Sequence, residues 1–379
     1  MKAFMFACPK PMVKRKFLAR NVAGLILIVV SACFVEASDD ETNTNVGGSS
    51  ASTNTSSDLG SNTDTLPTNT DATTTSTETD TTTDPGGGVG HITYTYQYQV
   101  FRIAAMAGAV PENITALLGE STGDRRIVQS PNGAWLTFLS KRFDCVDECL
   151  IRYSADLTIG EVVRPAGQDI YVEGISAITS DGATIVYASQ GGPNQVDLFA
   201  TTNDGTGWSA PHLLTSESTY GWNNMPSLSV DESAVYFDCG TEPYPESGTN
   251  DACRVNLDGS SFARVIGADA LDGAASNRVQ NPHEGPAGVY VEGVWPLSEN
   301  DTPEIIWLLG SDGVPSPVGA AYRNSVSPCA LPDGRWVMLW LEGPNNNDGF
   351  HELTLVDGDQ ATVLTPGYDI DDVGISCGL

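Results

Sequence analysis

The sequence closes on "DDVGISCGL" (371–379), and within it Gly374-Ile375-Ser376-Cys377-Gly378 matches the G-x-S-x-G pattern of a hydrolase nucleophile elbow. Nucleophilic chemistry at Ser376 needs a strand, a sharp turn and then a helix, and with one residue left after Gly378 a structural strand is the expectation. Three arginines, Arg126, Arg278 and Arg323, stand just ahead of apolar segments in "DRRIVQ", "NRVQN" and "YRNSVSP". Forked guanidinium donors at matching positions suit a bound carboxylate, although nearby carboxylates such as Asp124 and Glu120 compete for them. A second set is aromatic and acidic: Tyr171, Tyr220 and Trp222, with Tyr368, Asp369, Asp371 and Asp372 of "GYDIDDV". Tyrosine and tryptophan in loops commonly anchor a partner, and Trp222 competes for a place between packed sheets. "DIDD" could hold calcium through carboxylate oxygens, but no EF-hand spacing is present. No C-x-x-C occurs, and His91, His212, His283 and His351 are scattered. No metal site or other cofactor is therefore expected.

The positioning elements begin after residue 90. Basic residues Lys10, Lys14, Arg15, Lys16 and Arg20 precede the apolar run "VAGLILIVVSAC", too short for a comfortable membrane span, which reads as a signal peptide over 1–32. "MVKRKFLAR" supplies a complete basic region by itself, so Met12 competes with Met1 as the start. Val30-Ser31-Ala32-Cys33 resembles the lipobox of bacterial lipoproteins, which implies lipidation of Cys33; Phe34 after it favours the outer membrane or cell surface over retention at the inner one. Residues 33–90 are rich in Thr, Ser, Asn, Asp and Gly, and cannot offset the entropy of ordering a backbone. They read as a disordered tether with a reach of about 40 Å.

All 48 acidic residues follow Cys33, against 12 basic ones there, so the chain from Cys33 onward has a formal charge of −36. Such a surface repels nucleic acid and anionic membrane faces, which leaves the lipid anchor as the one membrane contact. Residues 91–379 form a single domain, large enough to bury roughly three quarters of its unfolded surface.

That domain repeats. "RRIVQSPNGAWLTFLS", "GISAITSDGATIVYAS", "NNMPSLSVDESAVYFDCG", "NRVQNPHEGPAGVYVE" and "SVSPCALPDGRWVMLWL" each place a short strand before a turn and a more apolar strand after it. The turn positions Gly133, Gly182, Glu232, Gly285 and Gly334 are spaced by 49, 50, 53 and 49 residues, and each follows Asn, Asp or Glu. A second hairpin recurs six times, as in "DLFATTNDGTGW" and "ELTLVDGDQATVL". Five inner hairpins and six outer ones leave one unit without its innermost strand, and "VGISCGL" aligns with "SVSPCAL" as that strand. The expectation is an all-β, six-bladed β-propeller of four-stranded blades, closed by the C-terminal inner strand beside strands that begin near Thr93.

The repeat resembles the WD40-like PD40 repeat of TolB-type six-bladed propellers, with Ser130-Pro131-Asn132-Gly133, Ser180-Asp181-Gly182 and Leu331-Pro332-Asp333-Gly334 as its best copies. The additional α/β domain of TolB and the hydrolase domain of prolyl oligopeptidases have no counterpart here. Sialidases are also six-bladed and bind a carboxylate with three arginines, but "TNDGTGW" misses their Asp-box by one residue.

Beyond Cys33, six cysteines remain. In an oxidising compartment they are expected to pair as Cys145 with Cys149, Cys239 with Cys253 and Cys329 with Cys377, from their places on hairpins, although sequence alone admits fifteen pairings. The composite expectation is a monomeric, lipid-anchored envelope propeller that binds a protein, peptide or glycan through its channel-face loops and is not an enzyme. The alternative is a sialidase-like carbohydrate-active hydrolase that uses the channel arginines.

Overall fold

The computed structural model describes residues 89–119, 123–241, 250–271, 278–294, 304–319, 321–322, 324–341, 351–365, 370 and 375–378, all within the unit Thr79–Leu379. The expected signal peptide and lipobox, with Cys33, and nearly all of the tether lie outside the described residues. No helix among the described residues is long and apolar enough to cross a membrane.

The fold is all-β, built from antiparallel four-stranded meanders. The first holds β1 (His91–Tyr96), β2 (Gln99–Ala104) and β3 (Glu112–Asn113), with β24 (Ser376–Gly378) on its inner edge. The second runs through β4 (Arg125–Gln129), β5 (Trp135–Ser140), β6 (Cys149–Ser154) and β7 (Gly160–Val162), and the third through β8 (Glu173–Ile178), β9 (Thr184–Ser189), β10 (Asp197–Thr202) and β11 (His212–Leu213). The fourth is β12 (Trp222–Leu228), β13 (Ala234–Gly240), β14 (Asn250–Asn256) and β15 (Ala263–Ile266); the fifth is β16 (Arg278–Gly285), β17 (Gly288–Val294), β18 (Ile305–Leu309) and β19 (Pro315–Ser316). A single parallel bridge, Asn250 to Arg278, joins these two. The sixth is β20 (Ser325–Ala330), β21 (Trp336–Trp340), β22 (Glu352–Asp357) and β23 (Gln360–Thr365).

The second strand of each sheet explains the stacking. "WLTFLS", "TIVYAS" and "AVYFDCG" are almost wholly buried rather than alternating, because both of their faces are covered by neighbouring sheets. Apolar clusters accordingly lie between successive sheets: Val100 and Ile114 pack with Phe138 of the second, Leu139 with Tyr187 of the third, and Val186 with Phe237 of the fourth. One further cluster combines Leu339 and Leu355 of the sixth sheet with Ile92 and Cys377 of the first.

Local turn chemistry sets each inner hairpin. The hydroxyls of Ser130, Thr179 and Ser229 accept from the amides of Trp135, Thr184 and Ala234, and donate to Asn132, Asp181 and Asp231. Those side chains accept in turn from the amides of Ala134, Ala183 and Ser233. Gly133, Gly182, Glu232 and Gly334 have φ of 68°, 71°, 56° and 91°, the left-handed backbone the turn requires. Gly285 departs from the expected pattern: it is the last residue of β16, paired with Gly288, and the turn falls on Pro286 and Ala287. The polar cap is missing there, so the strands run further and turn more tightly.

The C-terminal strand pairs His91 with Gly378, Ile92 with Cys377 and Thr93 with Ser376. Ser376 therefore opens a paired strand and is buried, its Oγ accepting from the Gln129 amide at 3.2 Å, which is no place for a nucleophile elbow. A Cβ on Gly378 would stand 2.5 Å from the carbonyl oxygen of Ser130, so this strand end fits closely against the second sheet. All three expected disulfides form, and Cys329–Cys377 links β20 of the sixth sheet to β24 of the first.

Two variants test that linkage. The Cys329–Cys377 bond closes a loop of 48 residues and Cys145–Cys149 one of 4. By chain entropy their loss is expected to cost about 4 and about 2 kcal/mol respectively. Urea denaturation of Cys329→Ser/Cys377→Ser should thus show roughly twice the loss seen for Cys145→Ser/Cys149→Ser.

Candidate functional site

Five inner strands share an irregularity. β4, β8, β12, β16 and β20 each carry a bulge, with register shifts between Arg125 and Val128, Glu173 and Ser176, Asn224 and Ser227, Gln280 and His283, and Val326 and Cys329. One residue in each is left-handed: Arg126 (φ 58°), Gly174 (70°), Met225 (53°), Asn281 (51°) and Ser327 (51°). Four of the five are not glycine, and such backbone persists only where its surroundings enforce it, commonly at ligand clamps. At Gly174 a side chain is excluded as well, because a Cβ would come within 2.6 Å of Asn224 Oδ1.

Neighbouring side chains hold the bulges. The amides of Arg126, Asn281 and Ser327 donate to Thr95 Oγ1, Asp238 Oδ1 and Glu292 Oε2 at 2.9, 2.7 and 3.0 Å. All three acceptors sit on the second strand of the preceding sheet. Met225 donates instead to Asn224 Oδ1 at 2.7 Å. Three of the bulges in this way fasten a strand to the preceding sheet.

All five left-handed residues line one cavity of about 510 Å³, together with Glu173, Trp222, Arg278, Glu304 and His351. Asp238 and Glu292 are buried in its wall, and Asn281 Nδ2 donates to Glu292 Oε2 at 2.9 Å. Burial holds the Asp238 carboxyl well above the usual range; the Glu292 charge adds to this, while the Asn281 amide and Arg278 oppose it. The arrangement offers guanidinium donors, carboxyl acceptors and an indole face in one polar recess.

A narrow waist of about 40 Å³, between Met225, Asn281 and Ser327 on one side and Ile175, His283 and Ile375 on the other, leads from this recess to a second cavity. His283 Nδ1 accepts from the Ala330 amide at 3.2 Å, and burial pushes the imidazole down to about 4. It serves there as a neutral acceptor.

Of the expected site residues, Arg126, Arg278 and Trp222 are brought together in the polar cavity. Arg126 does not pair with Asp124. Its Nη1 donates to the Gly174 carbonyl at 3.0 Å, while buried Asp124 is taken by Arg142 at 2.8 Å. Trp222 lines the cavity and also packs on the apolar cluster between the third and fourth sheets. Tyr220 is structural: its hydroxyl donates to Asp251 at 2.8 Å, its ring lies on Phe262, and burial followed by the Asp251 bond pushes it up to about 12. Tyr171 is 65% exposed and stands off the cavity lining. Arg323, Tyr368, Asp369, Asp371 and Asp372 lie outside the described residues, and with them the calcium expectation and the three-arginine cluster. No group of three or more His, Cys, Asp or Glu among the described residues is placed to hold a metal ion.

Asp238 and Glu292 escaped the sequence reading, yet both interrupt apolar second strands, in "AVYFDCG" and "GVYVEGV", at matching register. An acid inside a run buried on both faces was the available clue.

No family model matches the sequence, and no curated protein matches it significantly. Solved structures do. TolB from Acinetobacter baumannii superposes with a TM-score of 0.55 at 11% identity, over 76% of this chain and 66% of that one. The fold is that of the TolB-like β-propellers. Hydrazine synthase of Kuenenia stuttgartiensis shares the propeller architecture, with a TM-score of 0.54 at 11% identity over 77% of this chain and 47% of its own. The chain thus spans under two thirds of that TolB and under half of the synthase.

The polar cavity and the waist beside it support two expectations. Asp238→Asn keeps an acceptor for the Asn281 amide and is expected to leave stability nearly unchanged, whereas Asp238→Ala should lose about 1–3 kcal/mol, read from urea midpoints. The depressed pKa of His283 means that the unfolded chain takes up its proton first as pH falls. Its contribution is complete above about pH 6.5 and is lost towards about pH 4. Melting temperatures across that window should fall less steeply in His283→Gln than in the native chain.

Proposed function

We propose that this chain is a lipid-anchored propeller of the bacterial envelope, at the outer membrane or cell surface, that binds a protein, peptide or glycan at the polar end of its axial channel and does not turn it over. The observation that carries this reading is the convergence of Arg126, Arg278 and Trp222 with buried carboxyls on bulged inner strands. Tryptophan and arginine in a recess are the residue types that dominate binding energy, and bidentate guanidinium donors select carboxylate or sulfate-like groups.

The reading includes a closed ring of six blades. Its support is the pairing of β24 with β1, the apolar cluster shared by the sixth and first sheets, and the Cys329–Cys377 link. The anchor rests on Val30-Ser31-Ala32-Cys33 behind a basic and apolar leader, and the acidic Thr/Ser-rich stretch would hold the propeller away from the lipid. The propeller acts as a monomer and without a cofactor.

The test uses the full lipidated chain as bait in envelope extract, beside Arg126→Ala/Trp222→Ala. A specific ligand should be retained by the native chain and at least tenfold less by the variant. Cys33→Ser should move the protein from the membrane to the soluble fraction. Turnover of a sialoside or other glycoside, abolished in the same double variant, would replace binding with the hydrolase alternative.

A further inference from the structure

The second cavity, at the turn end of the inner strands, is chemically unlike the first. It has a volume of about 340 Å³ and is walled mainly by apolar side chains from all six inner strands and their turns, among them Ile178, Leu228, Leu331 and Ile375. Such an enclosed apolar space with a few placed polar groups is the ordinary form of a small-molecule site.

Its polar groups have one sign. Glu232 and Glu284 line it, and neither lysine nor arginine is among the lining residues. Both carboxylates are fixed by backbone amides of the preceding sheet. Glu232 accepts from the Ser180 amide at 3.1 Å through each oxygen, and Glu284 Oε2 accepts from the Val230 amide at 2.7 Å. The remaining Glu284 oxygen accepts from Tyr236, whose hydroxyl is pushed up to about 12, by burial first and then by this bond, and so stays a donor. Neither glutamate has a cation among its hydrogen-bond partners.

A third acceptor stands three sheets away from Glu284. Gln129 is 3% exposed and lines the same cavity. Its Nε2 donates to the Ser376 carbonyl at 3.1 Å, and its Oε1 has no partner. A buried amide oxygen left without a donor costs free energy, and this one has almost no accessible surface.

We propose that this cavity binds a small organic cation, its apolar body in the chamber and its ammonium group on Glu232 and Glu284. The site is separate from the polar recess and independent of the function proposed for it. Anions are disfavoured there because a second negative charge would meet two carboxylates in a partly desolvated space.

Isothermal titration of the full chain with octylammonium, octanoate and 1-octanol tests the assignment. Saturable binding of octylammonium is expected, with octanol at least tenfold weaker and octanoate without measurable binding. Glu232→Gln/Glu284→Gln should weaken octylammonium at least tenfold. Because these glutamates also join turns, a second variant leaves them intact: Val230→Lys, at a rim position 59% exposed, should weaken octylammonium and admit octanoate. Arg126→Ala/Trp222→Ala should leave octylammonium affinity unchanged, which separates this site from the other. Equal binding of octanoate and octylammonium by the native chain, absence of saturable octylammonium binding, or unchanged affinity in both cavity variants would overturn the proposal.

Discussion

The structure depends on sheets that have no face to spare. A strand such as "AVYFDCG", buried at every position, needs apolar neighbours on both sides, and a sheet built around it must lie between two others. The demand passes along the chain until the sixth sheet is reached. There Leu339 and Leu355 meet Ile92 and Cys377, and β24 supplies the inner edge on which β1 pairs. The strand that completes this pairing is far from β1 in the sequence, so the inner edge of the first sheet is covered by a long-range contact.

Putting all inner strands around a common space has a second consequence, visible at the bulges. Regular strands would leave their amides in the ladder; each bulge frees one, and an amide freed inside the protein must find an acceptor. At three of the bulges Thr95, Asp238 and Glu292 provide it from the preceding sheet, which fastens sheet to sheet and puts two carboxyls into the wall of the polar cavity. Stability and the recess thereby draw on the same contacts. Asp238 illustrates the coupling: burial favours its neutral form, and an amide from the neighbouring sheet still finds an oxygen on it.

Much of the fold was readable because turn chemistry is local. A hydroxyl, an Asn or Asp two residues on, and a left-handed residue after it determine a hairpin within six residues, and their recurrence near fifty residues announced the sheets. Where that code decays, at Gly285, the reading placed the turn one residue early. Site residues were legible to the extent that their offset from an inner strand was regular. Arg278 and Trp222 each open an inner strand and Arg126 is the second residue of one, and the three meet in one cavity; Tyr171 and Tyr220 are in loops whose paths no spacing prescribes. Asp124 looked like a partner for Arg126 because residues two apart along a regular strand share a face, but the left-handed backbone of Arg126 at the bulge breaks that alternation. Arg142, 18 residues on, takes it instead.

The order of strands and the recurring hairpins were determined by the sequence alone, since each rests on short-range pattern and on position within a repeat; the cysteine partners were expected from the same positions and chosen among fifteen pairings by the structure. Tertiary structure decided the remainder: which five residues adopt left-handed backbone, which acids become buried acceptors, that His283 stays neutral, and that one end of the axial space is polar while the other is apolar and acid-rimmed. Those outcomes arise from groups on different sheets 35 to 47 residues apart, brought within hydrogen-bonding distance by packing, and desolvation of that kind leaves no trace in local spacing.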